Sequence, residues 1–219
     1  QAVTVTVTQA NDAPIITSNG GGDTASLSVD EGTTGTVVTV AATDADGDAR
    51  TYSIVAGDDG ADFAIDSTTG VVTFASTPDY EAPADGNTDN AYVLVVRASD
   101  GNGGTDTQTL TISVDNINEA PVISGTSTVS FAENGTGTVT DMGVTDVDAG
   151  DSHSFSLTGT DANLFNIDSS TGVVTFKAAP DFENAGDDGG ANVYNFNVVV
   201  TDAGNDGAAL TDTQAITVT

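Results

Sequence analysis

The chain has 219 residues, with 33 acidic side chains against three basic ones (Arg50, Arg97 and Lys177), a formal charge of −30. That balance excludes nucleic acid and anionic membrane surfaces as natural partners, because both are gripped by clustered Lys and Arg. Cysteine is absent, which removes disulfide and thiolate chemistry, and there is neither an 18-residue apolar run for membrane insertion nor a signal-peptide profile.

The length suits two domains of about 100 residues, and an internal repeat supports this reading. In chain order, Val3-Thr-Val-Thr-Val7 alternates like a strand and precedes the linker Asn11-Asp-Ala-Pro14. Residues 26–100 then align with 128–202. Ser28-Val-Asp-Glu-Gly32 matches Ser130-Phe-Ala-Glu-Asn134, and Thr43-Asp-Ala-Asp46 matches Thr145-Asp-Val-Asp148. Phe63–Phe74 matches Phe165–Phe176, and Pro78-Asp-Tyr-Glu81 matches Pro180-Asp-Phe-Glu183. The stretches 36–42, 92–98 and 109–114 carry Val, Ile and Thr with mostly period-two spacing, separated by Gly/Asp/Asn clusters. No helical stripe is present. The fold class expected is all-β: two tandem Greek-key β-sandwiches of immunoglobulin type, joined end to end by a short linker.

Residues 1–14 align with 108–121, and 214–219 align with the start of that segment. The domains are therefore expected as 1–10, the final strand of a preceding repeat; 11–118, repeat one; and 119–219, repeat two. The chain reads as part of a longer array. Ten of the twelve aromatics pair across the repeats, and Phe131 and Phe196 align with Val29 and Leu94. All are expected in the cores, leaving none to stack on a sugar or a base.

The carboxylates carry the functional signal. Four of the five glutamates form pairs 102 residues apart, Glu31 with Glu133 and Glu81 with Glu183, while Glu119 lies in the linker between the copies. Random solubilising charge would scatter. A duplicated pattern with one more carboxylate at the hinge suits a hard cation clamped between repeats. The donors are all oxygen, with no Cys and a single His (His153), which excludes a typical zinc or copper site. Calcium takes six to eight oxygens in flexible geometry.

Together these motifs resemble the cadherin repeat, in the version found in large bacterial surface proteins. The carrying residues are Glu31 and Glu133, the Asp-x-Asp of 44–46 and 146–148, the Asp-x-Glu of 79–81 and 181–183, Asp100 and Asp202, and the linkers ending in Ala13-Pro14 and Ala120-Pro121. The resemblance implies a calcium junction built from Glu31, Asp79 and Glu81 of repeat one; Asp115, Asn116, Asn118 and Glu119 of the linker; and Asp146, Asp148 and Asp202 of repeat two. It implies an N-terminal half-site of Asn11, Asp12, Asp44, Asp46 and Asp100, and a C-terminal half-site of Glu133, Asp181 and Glu183. The linker is one residue shorter than the usual cadherin linker, and Asn116 stands where the first carboxylate is expected. Two or three Ca2+ ions are expected at the junction.

The function expected is a non-catalytic, calcium-rigidified extender module of a secreted or cell-surface bacterial adhesin. Its partners are expected to be neighbouring repeats of the same polypeptide, with weak self-association as a further contact. Two rivals are weighed: adhesion by the repeats themselves, homophilic or to a ligand, and polysaccharide binding beside a secreted enzyme. The lack of Trp stands against both strand exchange of the vertebrate type and the polysaccharide reading. An EF-hand at Asp44–Asp48 fails because Ala49 and Val55 occupy the positions of its Gly and Glu. The stretch Asp100–Asp106 occurs once, whereas glycine-rich calcium rolls need tandem copies. His153 is expected in a surface loop, and so are Asp58, Asp59, Asp62, Asp89, Asp187 and Asp188 as solvated charge. Asn134-Gly-Thr136 is a formal glycan acceptor.

Overall fold

The computed structural model describes the whole chain, Gln1–Thr219. It divides into two compact units, Gln1–Asn116 and Ile117–Thr219. Each unit is a β-sandwich, and the only helical pieces are two 3-10 turns, Gly60–Asp62 and Ala162–Leu164.

In the first unit one sheet has the order β2-β9-β8-β5, from Thr24–Asp30, Thr105–Asp115, Ala91–Ser99 and Thr51–Ala56. The facing sheet is β3-β7-β6, from Thr36–Thr39, Val71–Phe74 and Phe63–Ile65, and β1 (Ile15–Ile16) pairs with β4 (Ala42–Thr43). The alternation read from the sequence is what places the core. Along β8, Tyr92, Leu94, Val96 and Ala98 are buried while Arg97 between them is exposed. They pack on Leu110 and Ile112 of β9 and on Val40 and Val72 of the opposite sheet. Each such Val, Leu or Ile side chain contributes about 1.5–3 kcal/mol through burial.

The second unit repeats this arrangement. Its larger sheet is β11-β18-β17-β14, from Thr128–Val129, Thr211–Val218, Tyr194–Thr201 and Ser154–Thr158. The second sheet is β12-β16-β15, from Thr138–Asp141, Val173–Phe176 and Phe165–Ile167, while β10 (Val122–Ser124) pairs with β13 (Gly143–Thr145). The aromatic packing is also duplicated. Phe63, Phe74 and Tyr92 meet at centroid distances of 4.5, 5.8 and 5.4 Å, and Phe165, Phe176 and Tyr194 at 4.3, 6.0 and 5.1 Å.

One sequence expectation needs correction. Tyr80 and Phe182 are not core residues: they are 38 % and 66 % exposed. Both sit between the Asp and Glu of an Asp-x-Glu motif, where the carboxylates on each side hold the backbone to the surface. The segment 1–10, expected as the final strand of a preceding repeat, pairs with no strand of this chain, and its Val3, Val5 and Val7 are exposed. No helix is long and apolar enough to cross a membrane.

Candidate metal centre

Each unit presents acidic side chains in two sets, and each set is built by specific backbone contacts. In the first unit the parallel pairing of β2 with β9 matches Asp30 to Asp115, and the Glu31 amide donates to the Asp115 carbonyl at 3.0 Å. The linker therefore leaves the sandwich beside Glu31. The Glu31 side chain is buried at 8 % exposure, and its Oε2 accepts the Tyr80 amide at 3.0 Å. This bond ties the Asp79-Tyr80-Glu81 segment to the end of β2, and carboxylate oxygens of Glu31 and Glu81 lie within 4.8 Å of each other. Asp79 Oδ1 accepts the Ala82 amide at 2.9 Å and fixes the turn that follows.

The other set of the first unit gathers the N-terminal linker residues. Asn11 Nδ2 donates to Asp100 Oδ2 at 2.8 Å, and the Asp12 amide donates to Asp46 Oδ2 at 2.7 Å. Asp44 Oδ1 accepts the amides of Asp46 at 2.9 Å and Asp48 at 3.2 Å, curling the loop so that carboxylate oxygens of Asp44, Asp46 and Asp48 lie within 4.8 Å of one another. Asp48 joins this set although sequence reasoning omitted it; it sits one alternate position beyond the Asp-x-Asp pair. Asp44 Oδ2 is buried and has no hydrogen-bond partner. The Asn11 amide, ahead of backbone N–H groups, holds the Asp100 carboxyl below the usual carboxylate range.

The second unit reproduces both sets. Asn118 Nδ2 donates to Asp202 Oδ2 at 3.1 Å, and the Glu119 amide donates to Asp148 Oδ2 at 2.8 Å, matching Asn11 with Asp100 and Asp12 with Asp46. The Asp148 amide donates to Asp146 Oδ1 at 3.1 Å. Asp148 and Asp202 are 4 % and 5 % exposed, and Asn118 Oδ1 is buried without a partner. Glu133 Oε2 accepts the Phe182 amide at 3.3 Å, as Glu31 accepts that of Tyr80, and Glu133, Asp181 and Glu183 place oxygens within 4.8 Å of one another. All three residues of that set are exposed. Asp115 is exposed, and Asn116 is half-buried.

His153 lies in a loop, as expected, but it is partly buried and has a partner. Its Nε2 meets Asp146 Oδ2 at 2.8 Å, in the loop position where the first repeat has Arg50, which donates to the Asp48 carbonyl at 3.1 Å. Two of the aspartates expected as solvated charge, Asp59 and Asp187, are buried at 5 % and 9 % exposure.

Chemically, these sets offer several hard oxygens at short mutual distances with almost no cation to balance them. Carboxylates at ~4 Å repel by about 1 kcal/mol even in water and more at a low-dielectric surface. Buried oxygens without donors, on Asp44 and Asn118, need a partner. A divalent ion of oxygen-loving type fits both requirements.

Known proteins resemble the chain in sequence and in fold. Residues 25–115 match the family model of the cadherin domain. The chain is 33 % identical over 162 residues to human Protocadherin Fat 4, covering 70 % of the chain and 3 % of that protein. It is 40 % identical over 83 residues to human Protocadherin-15, covering 37 % of the chain and 4 % of that protein. The chain thus spans only a few per cent of the curated relatives it matches. Among solved structures, mouse Cadherin-23 EC22-24 superposes with a TM-score of 0.56 at 26 % identity, covering 94 % of the chain and 63 % of that structure. Human Protocadherin-24 EC1-2 gives a TM-score of 0.66 at 20 % identity, covering 95 % and 98 %. The fold is that of two cadherin-like sandwiches, and these relatives are animal proteins.

Proposed function

We propose that the chain is a non-catalytic extracellular spacer whose successive repeats are stiffened by calcium. The observation that carries this reading is the duplication of the donor sets with their supporting hydrogen bonds. The same amide-to-carboxylate bonds hold Asp46 and Asp148, the same Asn side chain holds Asp100 and Asp202, and the same backbone bond holds Glu31 and Glu133. A catalytic pair would not need to recur at each repeat. A structural ion between repeats does.

In this reading Glu31, Asp79 and Glu81, the linker donors Asp115, Asn116, Asn118 and Glu119, and Asp146, Asp148 and Asp202 share two or three Ca2+ ions. The ions supply charge compensation and cross-linking. The chain's own residues supply the rest: Tyr80 N–H orients Glu31, Asn118 orients Asp202, and the Glu119 amide orients Asp148. Glu133, Asp181 and Glu183 are the upstream half of a further junction, and Asn11, Asp12, Asp44, Asp46 and Asp100 the downstream half of an earlier one. The named relatives are cadherins and protocadherins, and one similar structure is titled an extracellular domain, which supports a place at a cell surface or in a secreted fibre; a bacterial adhesin as the parent protein belongs to the same proposal.

Calcium calorimetry on the chain and on Glu119→Ala tests the junction. Sites in extracellular modules bind at about 10⁻⁴–10⁻³ M. Removal of the linker carboxylate is expected to lower the ion count and weaken the remaining sites. Identical isotherms for the two proteins overturn the reading.

Direct adhesion by the repeats is a second reading, favoured by one observation: Val3, Val5 and Val7 alternate with Thr and are 86 %, 81 % and 91 % exposed. Such a segment can add to a sheet edge of another copy. Sedimentation in calcium, with and without Val5→Lys, separates this from the spacer reading, which predicts a monomer in both.

A further inference from the structure

The first repeat holds another acidic cluster, made of none of the donors above. Asp59 and Asp85 are 5 % and 3 % exposed, and Asp62, whose amide donates to the Asp59 carbonyl at 3.0 Å, is half-buried at the end of the 3-10 turn. Asp59 is fully engaged: Oδ1 accepts the Gly86 amide at 2.8 Å and Oδ2 accepts the Val93 amide at 2.8 Å. Asp85 is not. Its Oδ2 accepts the Asp89 amide at 2.9 Å, while its buried Oδ1 accepts nothing. Burial, and then the charges of Asp59 and Asp85, hold the Asp62 carboxyl above its ordinary range. Burial, with the charges of Asp85 and Asp62 behind it, likewise holds the Tyr92 hydroxyl, which accepts the Ala84 amide at 3.0 Å, above its ordinary range. No Lys or Arg forms an ion pair with Asp59, Asp62 or Asp85. A buried carboxylate with an unmet oxygen and two acids beside it is costly unless a cation compensates.

The second repeat provides the contrast. Asp161 holds its loop as Asp59 does, accepting the amides of Asp188 at 2.9 Å and Asn195 at 2.7 Å. But Asp187, in the place of Asp85, has both oxygens occupied by the amides of Gly189, Ala191 and Asn192. Leu164 stands where the first repeat has Asp62. The loop that lacks the third acid has closed its hydrogen bonds, and the loop that has it has left an oxygen open.

We propose that the first repeat, and not the second, carries a lateral calcium site built on Asp62 and Asp85, with Asp59 as the brace that holds the two loops together. The donors are oxygens only, which selects a hard divalent ion. The site is independent of the junction.

Titration of the full 15N-labelled chain with CaCl2 tests it. The amides of Gly86, Asp89 and Val93 are expected to shift, while those of Asp188, Ala191 and Asn195 stay in place. Asp62→Leu, which installs the residue carried by the second repeat, is expected to fold normally and to abolish the shifts in the first set, as is Asp85→Asn. Neither should alter the response of Gly104 and Leu210, whose amides bind Asp100 and Asp202 and report on the other donor sets. Silence at Gly104 and Leu210 with movement at Asp89 would remove the junction and keep the lateral site. Gly86 and Asp89 moving no more than Asp188 and Asn195, or moving equally in Asp62→Leu, overturns the proposal.

Discussion

At the residue scale, most aspartates in this chain act through their hydrogen bonds to backbone amides. Asp66 Oδ1 accepts the amides of Thr68 and Thr69, and Asp168 Oδ1 those of Ser170 and Thr171, each closing a turn before a glycine. Those glycines are required: Gly70 has φ +72°, and a Cβ there would stand 2.1 Å from the Val40 carbonyl oxygen. Amide donors hold the carboxyls of Asp66, Asp168 and Asp187 below the usual range, and Asn11 leads the same effect at Asp100. A carboxyl lowered in the folded state contributes stability that is complete above its unfolded value of about 3.9 and lost as the pH falls through the lower folded value. Asp62 has the opposite sign, since its ionised form opposes folding in the absence of a cation. In chelator, urea midpoints are therefore expected to fall steeply below about pH 4, with Asp66→Asn flattening part of that slope. Asp62→Asn is expected to raise the midpoint at neutral pH and to converge with the parent chain in acid. A midpoint independent of pH down to about 2 would show that these carboxylates do not stabilise the fold.

At the element scale, the strands were legible because half-buried sheets leave a period-two record. The stretches 92–98 and 109–114 became the middle of β8 and the C-terminal half of β9, and the run 36–42 became β3 and the start of β4, separated where the Val40 amide turns to the Gly70 carbonyl. The duplicated donors were legible because their spacing of 102 residues is rigid. The loop braces were missed for a physical reason: an acid in a Gly/Asp cluster looks solvated until its amide partners are known. Yet Asp59 with Asp161, and Asp85 with Asp187, have that same spacing, so the signal that selected the glutamates also marks them. Tyr80 and Phe182 show the converse, since repetition of an aromatic does not guarantee burial. Asp59 bridges the 3-10 turn to Gly86 and to Val93 in β8, so Asp59→Ala leaves two amides without acceptors. The expected loss is about 2–4 kcal/mol, read as faster hydrogen exchange at Gly86 and Val93 and a lower urea midpoint. Asp161→Ala should do the same at Asp188 and Asn195. Exchange unchanged at these amides would show that the loops are held by other contacts.

At the scale of the whole molecule, 33 acids and three bases make folding a contest between core burial and self-repulsion. Two remedies are available, and they differ in kind. Monovalent salt screens all charges within a Debye length of about 8–10 Å, without regard to geometry. Calcium acts only where oxygens have been gathered, and stabilises by RT ln(1 + [Ca]/Kd) per site, about 2.7 kcal/mol at a hundredfold excess over Kd. Thermal midpoints measured in chelator should therefore rise gradually with NaCl, in the parent chain and in Glu119→Ala alike. In CaCl2 at low ionic strength the parent chain should gain a further increment that sets in near the site affinities and grows with the logarithm of calcium concentration, and Glu119→Ala should gain less. If equal ionic strengths of NaCl and CaCl2 gave equal midpoints, the gathered carboxylates would be ordinary surface charge, and the hydrogen bonds that align Glu31, Asp148 and Asp202 would serve the loops alone.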